Sequence, residues 1–414
     1  MSNLKELIQQ YCPDGVEYRP IWSLTAWDKK FNGIDKSKQK KVIKYNYLLA
    51  ADLKSYQVEG GTVKLLTTNI SNLYTTEELA EDLASDGEVV AIPWGGNPIV
   101  QYYKGRFLTA DNRIATSLDT TLLNNKFLYY CMLSKMDIIA SFYRGSGIKH
   151  PEMAKVLDLE IPVPPLPVQE EIVRILDNFA ELQAELQAEL QAELQKRLQQ
   201  YNFYRDNLFS FEGRTDVEWK KLGDVASIKT GRRFVRTDIR ESGVPCFHYG
   251  DLYTYYGLTA TQTKGYLDAE LASKLRFAQP NDVVVVCAGE NDMDIGVGVA
   301  WLGNEPAVVH DACSILHHDQ NPRYISHFLR THNYHLQMKK YVKNGKISSL
   351  PSSGLANALI PIPSLEEQER IATILDKFYA LTTDITAGLP AEIEARRKQY
   401  EYYRDQLLTF KQKA

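Results

Sequence analysis

Ile161-Pro-Val-Pro-Pro-Leu-Pro-Val-Gln169-Glu-Glu-Ile172-Val-Arg-Ile175-Leu176-Asp177-Asn-Phe179 opens a stretch that closes on Gln200-Tyr-Asn-Phe-Tyr204-Arg205-Asp206-Asn-Leu-Phe-Ser-Phe211. The same stretch returns 199 positions later. Ile161-Pro-Val-Pro becomes Ile360-Pro-Ile-Pro, Gln169-Glu becomes Gln368-Glu, and Ile175-Leu-Asp-Asn-Phe becomes Ile374-Leu375-Asp376-Lys-Phe378. Tyr204-Arg-Asp-Asn-Leu becomes Tyr403-Arg404-Asp405-Gln-Leu, with no gap in between. Leu182, Leu186, Leu190 and Leu194 fall on Leu381, Ile385, Leu389 and Ile393. The chain is an internal duplication, and repeats take precedence over any residue-level reading.

Each copy has helical spacing. Ile172, Ile175, Leu176, Phe179 and Leu182 share one face, the 3.6-residue periodicity of an amphipathic helix. Within the first copy Ala-Glu-Leu-Gln repeats in tandem from Ala180 to Gln195. All four are strong helix formers, and a leucine every fourth residue drifts about 40° per repeat around the axis. Such a block reads as a ruler. The predicted helix from Val168 to Leu208 would run roughly 60 Å at 1.5 Å per residue. A helix of that length with an apolar stripe needs a partner stripe. The second copy can supply it, antiparallel, with the globular regions at opposite ends. Ser364-Leu-Glu-Glu367 fits a capping box at its start, and Gly388-Leu-Pro390 interrupts it, so a new helical segment is expected from Pro390. Leu176, Phe179, Tyr204 and Arg205, with Leu375, Phe378, Tyr403 and Arg404, are candidates for the helix pairing or for a partner's docking face.

The expected fold is α+β: two globular mixed α/β domains, two long helices forming an antiparallel coiled coil, and an internal pseudo-twofold duplication. The boundaries read as 1–160 for the first domain with a helix at 1–11, 161–212 for the central helix, 213–359 for the second domain and 360–414 for the C-terminal helix. The halves also begin alike, Gly15-Val-Glu-Tyr-Arg echoing Asp216-Val-Glu-Trp-Lys. Between the shared ends lie short β-type runs such as Glu88-Val-Val-Ala-Ile, Asp282-Val-Val-Val-Val and Ala307-Val-Val, bounded by Gly, Asn and Pro as strands are. Helices are expected over 125–141 and 322–340. The regions between the flanks differ, which suggests one scaffold carrying two specificities.

A hydrophobic fraction of 44% over 414 residues indicates folded domains. There is no apolar run of about 20 residues for a membrane span and no signal-peptide core, so the expected compartment is the cytoplasm. The five cysteines (12, 131, 246, 287, 313) include no Cys-x-x-Cys and read as reduced, buried thiols. The net charge of −4 argues against a general, sequence-blind DNA binder while permitting a local basic patch.

No catalytic or metal-binding constellation emerges. Gly296-Val-Gly298 has Trp301 where a dinucleotide loop needs a third glycine. Asn321-Pro-Arg-Tyr324 lacks the second proline of an amino-methyltransferase motif and reads as a helix start. Glu218-Trp-Lys220 has no upstream aspartate to complete a nuclease site. His310, Asp311 and Cys313 sit in an apolar run as buried strand groups, and His317-His318 reads as surface. Binding signals are stronger. Lys229-Thr230-Gly-Arg232-Arg233-Phe-Val-Arg236 packs cations around a glycine turn, followed by His248-Tyr249. Lys36, Lys38, Lys40, Lys41 and Lys44 form a run without a counterpart, and Tyr102-Tyr-Lys-Gly-Arg106 follows it. Each half closes on a basic glycine loop, Arg144-Gly-Ser146-Gly-Ile-Lys149-His150 and Lys343-Asn-Gly-Lys346-Ile-Ser-Ser349. Glycine lets a backbone approach a phosphate, Lys and Arg neutralise it, and Ser or His can reach base edges.

Gln368-Glu-Arg-Ile-Ala-Thr-Ile-Leu-Asp-Lys-Phe, then Gln399-Tyr-Glu-Tyr-Tyr-Arg-Asp-Gln-Leu-Leu-Thr-Phe, resembles the repeat of type I restriction–modification specificity subunits, and Cys12-Pro-Asp-Gly-Val-Glu-Tyr is similar to that family's start. The resemblance covers the whole chain in layout and is most specific over 161–211 and 360–410. It implies a DNA-recognition subunit without catalysis of its own, whose target recognition domains each read half of a split double-stranded target while the helices set the spacer. It implies no cofactor on this chain. Two methyltransferase subunits using S-adenosylmethionine, and restriction subunits using ATP and Mg, would be its partners. A fused methyltransferase–specificity enzyme, or a coiled-coil scaffold with protein-binding heads, is the alternative reading.

Overall fold

The computed structural model describes residues 2–39, 41–289, 295–343, 345, 347–383 and 388–413. The chain divides into two compact units, residues 1–187 with 395–414, and residues 188–394. The first unit is therefore built from both ends of the chain.

The duplication has a structural counterpart in each unit. In the first, Tyr18–Pro20 pairs antiparallel with Glu160–Pro162, Tyr18 facing Pro162. In the second, Glu218–Lys221 pairs with Leu359–Ile362, Trp219 facing Pro361. Each ladder closes a domain at the point where its long helix begins. The first unit is sealed by the end of the second copy. Val16 bridges Gln412, and Tyr18 Oη and the Phe410 backbone lie 3.2 Å apart. Gly15, at φ +100°, lies so close to the Lys411 carbonyl that a Cβ would clash.

Around that frame the first unit holds a six-stranded sheet in the order Thr25–Trp27, Asn112–Ser117, Ser85–Pro93, Gln101–Thr109, Val63–Leu66, Tyr74–Thr75. The second holds a five-stranded sheet ordered Ala226–Thr230, Cys313–His318, Val283–Val286, Gly298–Trp301, Thr259–Ala260, and a four-stranded sheet around Val244–Phe247 and Ala307–Val309. The four valines of 283–286 are all fully buried. Alternation along a strand explains how: Val283 and Val285 join the core with Tyr324, Phe328 and Leu375, while Val284 and Val286 join the one with Phe247, Trp301 and Val309. All five cysteines are free and buried, as expected.

The expected helices form with adjusted boundaries. The central helix runs Leu166–Leu208, its Pro167 in the first turn where no backbone donor is needed. The 125–141 segment divides into Asn125–Ser134 and Met136–Ser141. The 322–340 segment divides into Pro322–Phe328 and His332–Lys339, the second capped by the Thr331 side chain. The second copy gives Leu365–Thr383 and Leu389–Leu407, with Pro390 in the first turn of the latter. Ile385 lies outside the described residues. At Ser364 half of the capping box forms: Ser364 Oγ accepts from the Glu367 N–H at 3.3 Å, while the Glu367 carboxylate is engaged by Arg370 and Arg214.

Within the second unit the two copies of the helix touch. Tyr201 meets Tyr379 at 5.9 Å and Tyr204 stacks on Phe378 at 5.4 Å and 28°. Contacts advance along one helix as they retreat along the other, so these segments are antiparallel. In the first unit Leu408, with Leu407 and Phe410 beside it, shares one apolar cluster with Ile172, Ile175 and Leu176. No buried residue lies between Ala180 and Gln195, so the tandem repeat is solvated helix.

Candidate nucleic-acid interface

The repeat motif docks each long helix onto its own globular region through two side chains. Gln169, fully buried, accepts from the Asn124 N–H at 2.9 Å and donates to the Leu122 and Pro164 carbonyls. Gln368 does the same for the Asn321 N–H at 3.0 Å and the Pro363 carbonyl. Asp177 receives Lys126 Nζ and Tyr130 Oη, both at 2.7 Å. Asp376 receives Arg323 Nη1 at 2.5 Å and His327 Nε2 at 2.8 Å. Asn321 itself is a helix cap, its side chain accepting from the Arg323 and Tyr324 N–H groups, and Glu218 pairs with Lys220 in its strand. Neither forms part of a methyltransferase or nuclease site.

The basic turn of the second unit is held by backbone. The Gly231 N–H donates to the Cys313 carbonyl and the Arg232 N–H to the Val309 carbonyl. A Cβ at residue 231 would clash with the Val309 and His310 carbonyls, so only glycine permits this approach. Phe234 turns inward and meets the His310 ring at 5.1 Å. His310 lies 4.9 Å from His248 and 5.2 Å from Tyr249. Burial pushes both imidazoles below the usual histidine range, and each Nδ1 accepts a backbone N–H, from Gly250 and from Ala312. Burial thus disfavours the charged form of both rings, although His310 Nδ1 also lies 3.0 Å from the Asp311 carboxylate. The cations surround this aromatic cluster. Arg232, Arg233 and Arg236 are exposed, Arg232 resting on the Lys274 carbonyl and Arg236 3.6 Å from Asp251. Arg233 makes no side-chain ion pair among the described residues. Lys229, with Thr230 following it, lines a cleft of about 400 Å³ shared with Ser227, Arg276, Asp282 and His317. Sequence reading singled out Tyr249 but not the clustering of His248, His310 and Phe234, which joins residues far apart along the chain.

Both glycine loops are hairpins. Arg144 pairs with His150 and Lys343 bridges Ser349, each antiparallel, and these positions differ by the same 199 that relates the helices. Ser146 and Lys149 are exposed, and Arg144 contacts Glu152 at 3.0 Å. His150 Nδ1 meets the Trp94 carbonyl at 2.7 Å, its ring lies 5.2 Å from the indole, and the Arg113 guanidinium lies 4.1 Å from the same indole. Trp94 and Arg113 carry no sequence signal. Lys343 is exposed, and Lys346 lies outside the described residues, as does Lys40. Lys38 is held by Asp158 at 2.5 Å.

The helix candidates separate. Leu176 and Leu375 are core residues, and Phe179 and Phe378 are half-buried against the cores. Arg205 and Arg404 are buried beside Asp206 and Asp405, each four residues along the chain from a buried side chain, Tyr201 and Leu408 respectively; they do not offer an exposed guanidinium to a partner. Tyr204 and Tyr403 remain exposed, as do Phe203 and Tyr402. His318, expected at the surface, is half-buried with Nε2 unpartnered because its strand lies inside the sheet. No group of three or more potential metal ligands occurs among the described residues, and no described helix is long and apolar enough to cross a membrane.

Two unlike domains, each with a basic glycine loop, on a duplicated helical frame define the class of protein: an internally repeated, two-domain chain. The family of the type I restriction modification DNA specificity domain matches residues 32–196 and again 215–395, and the chain belongs to it. It is 33% identical over 354 residues to a type I restriction enzyme specificity subunit of Haemophilus influenzae, covering 81% of this chain and 86% of that one. It is 33% identical to the EcoR124I/EcoR124II specificity subunit of Escherichia coli, covering 72% and 74%. A solved structure from work on assembly and conformational transition of the type I R-M system has the same fold, at TM-score 0.62 and 15% identity over 96% and 98% of the two chains. The chain is a DNA sequence-recognition subunit.

Proposed function

We propose that this chain reads a bipartite double-stranded target, one half-site with residues 1–160 and the other with residues 213–359. The central helix 161–212 and C-terminal helix 360–414 set the spacer. The observation that carries this reading is the constant 199-residue offset, which joins two like helices and two like hairpins to otherwise different domains. The contacting groups are Arg144, Ser146, Lys149 and His150 in one head. In the other they are Lys229, Thr230, Arg232, Arg233, Arg236, Tyr249, Lys343 and Lys346. The exposed pairs Phe203–Tyr204 and Tyr402–Tyr403, at equivalent positions, suit two copies of one partner. We assign them to two methyltransferase subunits, which would bring S-adenosylmethionine. Restriction subunits requiring ATP and Mg would join that assembly in the cytoplasm.

The test is methylome mapping of a host carrying the gene set with Arg232→Ala and Arg233→Ala together. Modification should fail or relax at the half-site read by 213–359 alone. Equal loss of affinity for unrelated DNA would show phosphate contact without readout. Methyl transfer by the purified chain alone would overturn the assignment.

A further inference from the structure

The two hairpins share one feature that their charge does not explain. Ile148 is 70% exposed and Ile347 is 57% exposed, at equivalent positions of the 199-residue offset. One exposed isoleucine needs no explanation by itself; its return at the equivalent position of an otherwise different domain is what sets this pair apart. Leu49 and Ile70 are as exposed, but their counterparts at that offset are His248 and Ala269. Ile148 is also braced. Its Cγ2 occupies the space where a Cβ on Gly95 would be, 2.9 Å away, and the Gly96 N–H donates to the neighbouring Lys149 carbonyl at 3.0 Å. The Trp94 and His150 rings lie against each other beside it, 5.2 Å apart and tilted by 47°. On the other hairpin the Lys343–Ser349 bridge and the pairing of Ser348 with Gly289 fix the base of the loop.

We propose that Ile148 and Ile347 are apolar wedges that press on the base stack of the DNA, one in each half-site, while Arg144, Lys149 and Lys343 hold the adjoining phosphates. This rests on the reading of the chain as a bipartite DNA reader. The charge around each isoleucine fits a polyanion, which favours DNA over a protein partner. Sameness in otherwise unlike heads favours a task common to both half-sites: a wedge between base steps is indifferent to sequence, whereas a contact that discriminates bases should differ between them.

The experiment uses the full complex with its methyltransferase subunits and duplexes of the mapped target carrying 2-aminopurine at successive positions of one half-site. Wild type should raise fluorescence at one step in each half-site. Ile148→Ala should abolish the rise in its own half-site only, Ile347→Ala in the other only, each with about tenfold weaker binding and unchanged sequence preference. Both side chains are exposed, so folding is not at risk, and circular dichroism verifies it. Retained fluorescence and affinity in both variants, with binding still lost in the Arg232→Ala, Arg233→Ala variant, would overturn the wedge alone. Altered base preference would make the isoleucines readers and also overturn it. No specific binding by wild type would instead overturn the bipartite reading beneath it.

Discussion

Asp177 and Asp376 are the same residue of the repeat, yet their removal should cost different amounts. Asp376 is the acceptor for His327, whose side chain is fully buried, and for Arg323, which is 25% exposed. Removing one partner of a buried charged pair typically costs about 3–5 kcal/mol. Asp376 is 29% exposed and Arg323 retains Glu369, which reduces the expected cost of Asp376→Ala to about 2–3 kcal/mol. Asp177 holds Lys126, 31% exposed, and the Tyr130 hydroxyl. Lys126 can turn to water, leaving mainly the phenol to lose its acceptor, so Asp177→Ala should cost about 1 kcal/mol. Urea unfolding at pH 7.5, followed by hydrogen exchange resolved for residues 1–187 and 188–394, separates the two effects. Asp376→Asn should recover part of the loss, since its amide oxygen still accepts from His327. Equal losses, or a larger one for Asp177→Ala, would refute the claim that these carboxylates pin each helix through the burial of their partners.

Deleting Ala184-Glu-Leu-Gln187 removes about 6 Å and about 40° of helix from a stretch with no buried residue; the mapped target should keep both half-sites and lose one to two base pairs of spacer. Seven of the eight histidines lie in 188–394, and burial first of all holds His248, His310, His318 and His327 below the ordinary range and His335 at about 4. A histidine whose folded pKa is depressed lets only the unfolded chain take up a proton as pH falls through about 6.5. The histidine contribution to the second unit's stability should therefore be fully present above that pH and be lost as pH falls toward 4. Calorimetry across that range, with Tm values assigned to each unit, measures the loss.

How far the sequence could be read follows from what is local. A duplication is visible as identity at a fixed offset, and a long helix as spacing repeated over many turns, so the helices of 161–211 and 360–410 were legible, including a segment that starts beside Pro390. The valine run of 283–286 announced a strand; that both of its faces are buried came only from the packed sheets. Side chains whose role depends on distant neighbours were not legible. Nothing in Gln169 or Asp177 says that they reach Asn124 and Tyr130, and Arg205 and Arg404 read equally as helix-pairing or partner-facing groups until their burial was seen. His248, Phe234 and His310 become one cluster only when two strands and a turn converge, and Trp94 joins His150 only through a folded hairpin. Sequence by itself determined the family, the repeat and the helices, because periodicity and covalent order carry them. Tertiary structure decided which polar groups dock the helices and which stand in solvent, because burial is a property of the packed chain and no single segment carries it.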